Sequence, residues 1–289
     1  MSAGPSLKTG STAKTGRALP TVHPGPSRLT RWIIVAVIGG LFLVPIGAML
    51  EFTLRRGLEG GYDFARWAEL FGGGGLTGEY KPILTGLTNS LVLAVVTVIV
   101  MLVLLVPTMV LVRIRFPGLQ RVLEFVCLLP ITIPAIVLVV GLAPVYSVVA
   151  KIFGSGVWPL SFAYGILVLP YAYRAIQANL QAIDVVTLSE AARSLGAGWL
   201  TILLRVVVPN IRRGLLAASF ISVAVVLGEY TIAALLNRVN LQTSLVIVSK
   251  ADPFVAIIFA LLALAFAFVL LVGIGFIGAG PRTHKKARA

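Results

Sequence analysis

Two carboxylates hold most of the chemistry this sequence offers. Glu229 lies in VLGEYTIAALL, an otherwise apolar stretch, with Gly228 and Tyr230 as neighbours. An ionised carboxylate at the middle of a bilayer costs a few kcal/mol on insertion scales, so such a group faces the protein interior or a water path and finds a partner there. Two roles are open to it: meeting a cationic solute or gating a pathway, or anchoring two helices through hydrogen bonds. Glu190 lies in TLSEAARSLGAGW, a short amphipathic stretch rich in Ala and Gly. There the chemistry is that of a surface, because small side chains let another body approach the backbone closely.

Other reactive groups are poorly placed for catalysis. His23 and His284 lie near the two ends, Cys127 sits in an apolar run without an evident partner, and Gly154-Ser155-Gly156 reads as a turn. No set of residues has the spacing of a metal site or a nucleophile with its base, so an intramembrane enzyme is disfavoured. The sequence contains no GxxxxGK[ST] loop to cradle phosphates, and any nucleotide chemistry must come from a separate subunit.

The elements that must position these residues are membrane helices. Of 289 residues, 58% are hydrophobic and 12% charged, with a mean hydropathy of +1.00, far from the balance of a water-soluble domain. Stretches long enough to cross a bilayer occur at Ile33–Leu50, Ser90–Val112, Val122–Val145, Val157–Tyr173, Gly214–Leu236 and Val255–Gly280. An all-α protein with six transmembrane helices is expected, with residues 32–280 as its membrane domain. Residues 1–31 and 281–289 read as basic cytoplasmic tails, the first of them disordered and unlike a secretory signal. With the N-terminus inside, 17 of the 24 Lys and Arg fall in cytoplasmic segments. The net charge of +14 is then a topology signal and a contact with anionic lipid headgroups rather than a nucleic-acid surface.

Between the spans, residues 51–85 read as a loosely structured external loop with a run of glycines at 72–75. Pro130 and Pro134 interrupt the third span in LLPITIPAIVLVVG. They suit either a packing kink or a pathway wall. Tyr171 and Tyr173, at the inner end of the fourth span, read as interfacial aromatics. Thr187 and Glu190 have capping-box spacing, which predicts a helix from Leu188. Gly196 and Gly198 then stop it, and TILLRVVV forms a second short helix ending before Pro209.

The spacing Glu190-Ala191-Ala192, three residues, Gly196, nine residues, then Val206-Val207-Val208-Pro209 resembles the EAA loop of the membrane subunits of bacterial ABC importers. Valine stands at both aliphatic positions where that family has I-x-L. The preceding LPYAYRAIQANLQAID, residues 169–184, is also similar, and the likeness covers about 88–275, with the EAA loop at 187–209. It implies the type I importer permease fold, in which Glu190, Ala191, Ala192, Gly196 and Pro209 would couple to a cytoplasmic ATPase. The implied partners are two ATP-binding subunits, which would hold ATP and Mg in place of any cofactor in this chain, a second permease or a copy of this one, and an extracytoplasmic substrate-binding protein. The bland alternative is that Glu190 merely caps its own helix.

GEY at 228–230, followed by LLNRVNLQTSLVIV, resembles the subgroup that imports polyamines, iron(III), thiamine, sulfate, molybdate and phosphonates. Glu229 and Tyr230 would then lie on the substrate path, with a polyamine-like cation as the expected solute. A location in the bacterial cytoplasmic membrane with both termini inside is implied. An ion-coupled secondary carrier is the rival reading, and it would need paired midplane charges or matching interrupted helices.

Overall fold

The computed structural model describes residues 27–56, 60–72, 78 and 80–278. The two basic tails and the run 73–75 therefore lie almost wholly outside the described residues. Every regular element described is helical: α1 (Arg28–Leu54), α2 (Ala65–Gly72), α3 (Lys81–Arg115), α4 (Gln120–Thr132), α5 (Ala135–Phe153), α6 (Ser161–Gln181), α7 (Val185–Ser194), α8 (Trp199–Thr201), α9 (Val208–Asn210), α10 (Arg212–Gly228), α11 (Thr231–Leu235), α12 (Leu241–Ala251) and α13 (Pro253–Gly278). A π-helical segment, Ile202–Val207, joins α8 to α9.

The chain divides into two units, Met1–Gly47 and Ala48–Ala289. In the first, the described part of α1 is an apolar helix with its large side chains exposed, as a helix facing hydrocarbon would be. In the second, α3, α4, α6 and α10 pack into a bundle. Its core includes Leu93, Met101, Leu105, Tyr164, Ile176 and Ala218. A smaller cluster of Leu70, Ile83, Leu241 and Ile258 joins α2, α3, α12 and α13.

Among the described residues, three helices are long and apolar enough to cross a membrane: α1, α3 and α5. The bent pair Trp199–Asn210 and Arg212–Gly228 makes up to four. The six expected spans do not all appear as single rods, because three are broken or interrupted by polar residues. The third divides at Ile133, whose backbone is extended (φ −100°, ψ 125°), with Pro134 as the N-cap of α5. Pro134 disfavours the helical region for the residue before it and cannot donate a helical hydrogen bond. The two prolines thus make a break rather than a kink. The fourth continues to Gln181, past Arg174 and into polar sequence. The fifth ends at Gly228, and α11 and α12 follow before the sixth.

The segment expected as a loose external loop is also more ordered than its composition suggests. In α2 the Trp67 indole N–H donates to Thr53 Oγ1 at 3.1 Å, and Leu70 is buried. Arg66 stacks its guanidinium 4.1 Å from the Phe254 ring centroid, and Phe254 stacks on Phe52. The glycine-rich composition hid these long-range aromatic contacts.

Candidate functional site

The helix carrying Glu190 begins earlier than its capping-box pattern predicts. Asp184 is the N-cap of α7, and its carboxylate accepts from the Thr187 backbone N–H at 3.1 Å and from Thr187 Oγ1 at 2.7 Å. These bonds, the side-chain one first, hold the exposed Asp184 carboxyl below its usual range. The Thr187–Glu190 box is therefore not formed. Asp184, three residues upstream, takes the Thr187 amide that the box would have given to the Glu190 side chain, and the Thr187 hydroxyl becomes a donor. Glu190 falls in mid-helix, and its exposed carboxylate makes no hydrogen bond among the described residues. Val185 and Ser189 form the buried face, leaving Glu190 and Ala191 outward and Ala192 half-buried.

Gly196 ends this helix as expected, for a definite reason. Its φ of +81° is left-handed, its N–H donates to the Arg193 carbonyl at 2.8 Å, and Ala197 N–H donates to the Ala192 carbonyl at 3.0 Å. This is a Schellman termination with glycine in the position where a side chain is strained. Gly198 is extended and its carbonyl accepts from Ile202 N–H, opening the next helix.

That next helix does not stop before Pro209. It runs through the proline to Asn210, and the turns just before are wound as a π-helix, with Val208 N–H bonded to the Leu203 carbonyl five residues back. Proline cannot donate and crowds the carbonyl four residues earlier, so a wider turn accommodates it. The Asn210 side-chain amide donates to the Val206 carbonyl at 2.7 Å, supplying a donor next to the one that proline lacks. Past Ile211, which is fully buried, the chain bends by 79° into α10.

At the other end of α10 stands Glu229. It is not inside a helix but in the gap between α10 and α11, with extended backbone (φ −84°, ψ 126°) and only 8% exposure. Its carboxylate caps α11: Oε1 accepts from Thr231 N–H at 2.8 Å and from Ile232 N–H at 3.1 Å, and Oε2 from Ile232 N–H at 3.0 Å. Its backbone carbonyl accepts from the Asn240 side chain at 2.7 Å. The neighbouring Tyr230 side chain is exposed.

Sequence reasoning passed over the residues that complete this cluster. Asn240, 1% exposed, also donates to Tyr164 Oη at 3.2 Å, and with Thr243 it forms a capping box at the start of α12. Leu241 N–H donates to Ser90 Oγ, and the Gln242 amide to the Leu227 carbonyl. Gly86 on α3 lies so close to this turn that a Cβ there would meet Ser244 Oγ and come 2.6 Å from the Asn240 carbonyl oxygen. The available signal was the pattern Asn240-x-x-Thr243 before an apolar run, which marks a helix start. Of the two interfacial tyrosines, Tyr171 is exposed but Tyr173 is buried in the bundle core.

The structure thus gathers the sequence-flagged residues at two places. Glu190, Ala191 and Gly196 lie exposed on a short surface helix and its stop, with Pro209 further on in α9. Glu229 and Tyr230 lie at the helix break that follows α10, whose 17 residues at about 1.5 Å each span roughly 25 Å. An all-helical membrane protein with broken spans around buried polar groups is a transport architecture. The chain matches, over residues 83–279, the family described as the binding-protein-dependent transport system inner membrane component, and it belongs to that family. It is a transport subunit and not an enzyme.

Among curated proteins it is 26% identical over 282 residues, 91% of its length, to a Sinorhizobium fredii protein named "Probable ABC transporter permease protein y4fN". The chain spans 48% of that relative, about half of its length.

Proposed function

We propose that this chain is the permease subunit of an ATP-driven importer, which forms a translocation pathway and couples it to a cytoplasmic ATPase. One observation carries the reading. The exposed helix with Glu190, Ala191 and Ala192, its Gly196 stop, the short helix through Pro209 and the buried Ile211 follow one another directly into α10, whose C-cap is Glu229. A displacement of α7 by a docked partner is carried through this element to the break at the buried acid.

Two ATP-binding subunits, holding ATP and Mg, are the partners for α7, with both termini of the chain on the same side. An extracytoplasmic binding protein delivers solute from the other side. The match to half of a longer permease supports a pair of permease units, either two copies or two different chains.

The solute reading follows Glu229: a polyamine-like cation, met by its carboxylate beside Tyr230. A second reading, import of an anion, is favoured by Arg238, whose Nε donates to Tyr146 Oη at 3.3 Å near the same turn. Purification of the tagged protein from its own membranes tests the main reading, with Glu190→Arg in parallel. An ATPase recovered with the wild type and lost with the variant is expected. Its absence from a folded wild-type preparation would overturn the proposal. Uptake of labelled spermidine against labelled phosphonate then separates the two solute readings.

A further inference from the structure

We infer that the groove between α3, α4 and α6 holds an acyl chain of an anionic phospholipid, whose phosphate is received by Arg113, Arg115, Arg121 and Arg174. The groove encloses about 330 Å³. Its walls include Met101, Leu105 and Thr108 of α3, Leu123 and Val126 of α4, and Ile166 of α6. They offer almost nothing to a hydrated solute: Thr108 Oγ1 already donates to the Leu104 carbonyl within its own helix, and the remaining polar side chain is the Cys127 thiol. The occupant is therefore apolar along this length.

Beyond one end of the groove, all three helices carry arginines. Arg113 and Arg115 follow Thr108 on α3, Arg121 precedes Leu123 on α4, and Arg174 follows the lining residue Leu169 on α6 by five positions. The charges of Arg113 on α3 and Arg174 on α6 both act on the Tyr173 hydroxyl. The acids facing this end are Glu124, also near Tyr173, and Asp184, near Arg113. None of the four guanidinium groups makes an ion pair among the described residues. Four cations against two carboxylates, at the end of an apolar slot, match a phosphate ester with a hydrocarbon tail. A second copy of the chain fits less well. A symmetric contact at this groove would bring a second set of four arginines against the first.

Two kinds of variant separate the tail site from the head site. Gly165 lines the groove, and a Cβ there would meet nothing within 4 Å, so Gly165→Leu fills the slot without disturbing the bundle. Replacing all four arginines by Gln removes the head site and leaves the core untouched. The full-length chain, exchanged into detergent with equimolar phosphatidylglycerol and phosphatidylcholine, is examined by native mass spectrometry. The wild type is expected to retain one phosphatidylglycerol at least tenfold over phosphatidylcholine. The arginine variant should bring that ratio near one, and Gly165→Leu should lose the retained lipid altogether. A ratio indifferent to the arginines, or a lipid retained equally by Gly165→Leu, overturns the assignment. So does a wild type that retains no lipid; a crosslink between copies of a Val126→Cys variant would then make this face a permease interface.

Discussion

Glu229 is assigned a structural bond and, by proposal, a solute contact, and the two separate under substitution. Glu229→Ala would strand the amides of Thr231 and Ile232, both buried or partly so, which now rest on the carboxylate at 2.8–3.1 Å. An unsatisfied buried donor costs about 1–3 kcal/mol, so the pair predicts a loss of roughly 2–6 kcal/mol, a large share of the about 5–15 kcal/mol that holds a protein folded. Glu229→Gln behaves differently. Its single oxygen can keep both amides, since Oε1 already serves both, and the change from a charged to a neutral acceptor costs about 1 kcal/mol. Thermal unfolding in detergent should therefore show a marked drop for Ala and a small one for Gln. Uptake into vesicles should fall at least tenfold for Gln if the charge reads the solute. A Gln variant with full uptake would remove Glu229 from the pathway and leave it a cap. An Ala variant melting with the wild type would refute the capping argument itself.

Gly196→Ala places a side chain at φ +81° with open space around it, so its cost is purely conformational, about 1–2 kcal/mol. Gly196→Asn should cost less, and solute-stimulated ATP hydrolysis in the assembled complex should rank Gly, Asn, Ala in descending order. Asn240→Ala strips three hydrogen bonds from a buried residue and should lower stability by about 2–4 kcal/mol in a thermal melt. Gly86→Ala drives a Cβ into the α12 turn, and a loss of about 1–3 kcal/mol is expected by the same assay. The Asp184 carboxyl is held below its ordinary pKa by Thr187, so its contribution is present above the unfolded value and lost as pH falls through the folded one. Hydrogen exchange at the first turn of α7 should accelerate only under acid, and Asp184→Asn should abolish that dependence.

What the sequence made legible and what it concealed divide along one physical line. Apolar length and the spacing from Glu190 to Pro209 are local properties, and they located α1 and α3 among the membrane helices, the exposed helix and its glycine stop. The break at Ile133 is local as well, set by Pro134, but the one at Glu229 is held by partners distant in sequence, which a window of apolar residues averages over. Glu229 illustrates the cost of that averaging. Read in its own stretch it is an isolated acid in the middle of a span, whereas the fold ends α10 just before it and spends the carboxylate on the first amides of α11. The break is tolerable only because Asn240, eleven residues on, donates to the freed carbonyl, while Ser90 of α3 takes the amide of Leu241. Asp184 and Thr187 make the same point in reverse. There the partners were close in sequence, but two carboxylates competed for the Thr187 amide, and the spacing rule chose Glu190 where the backbone chose Asp184. A buried acid among apolar neighbours is thus better read as the sign of a broken helix whose polar ends need partners than as a charge awaiting a solute, and the Gln substitution at Glu229 decides whether it is both.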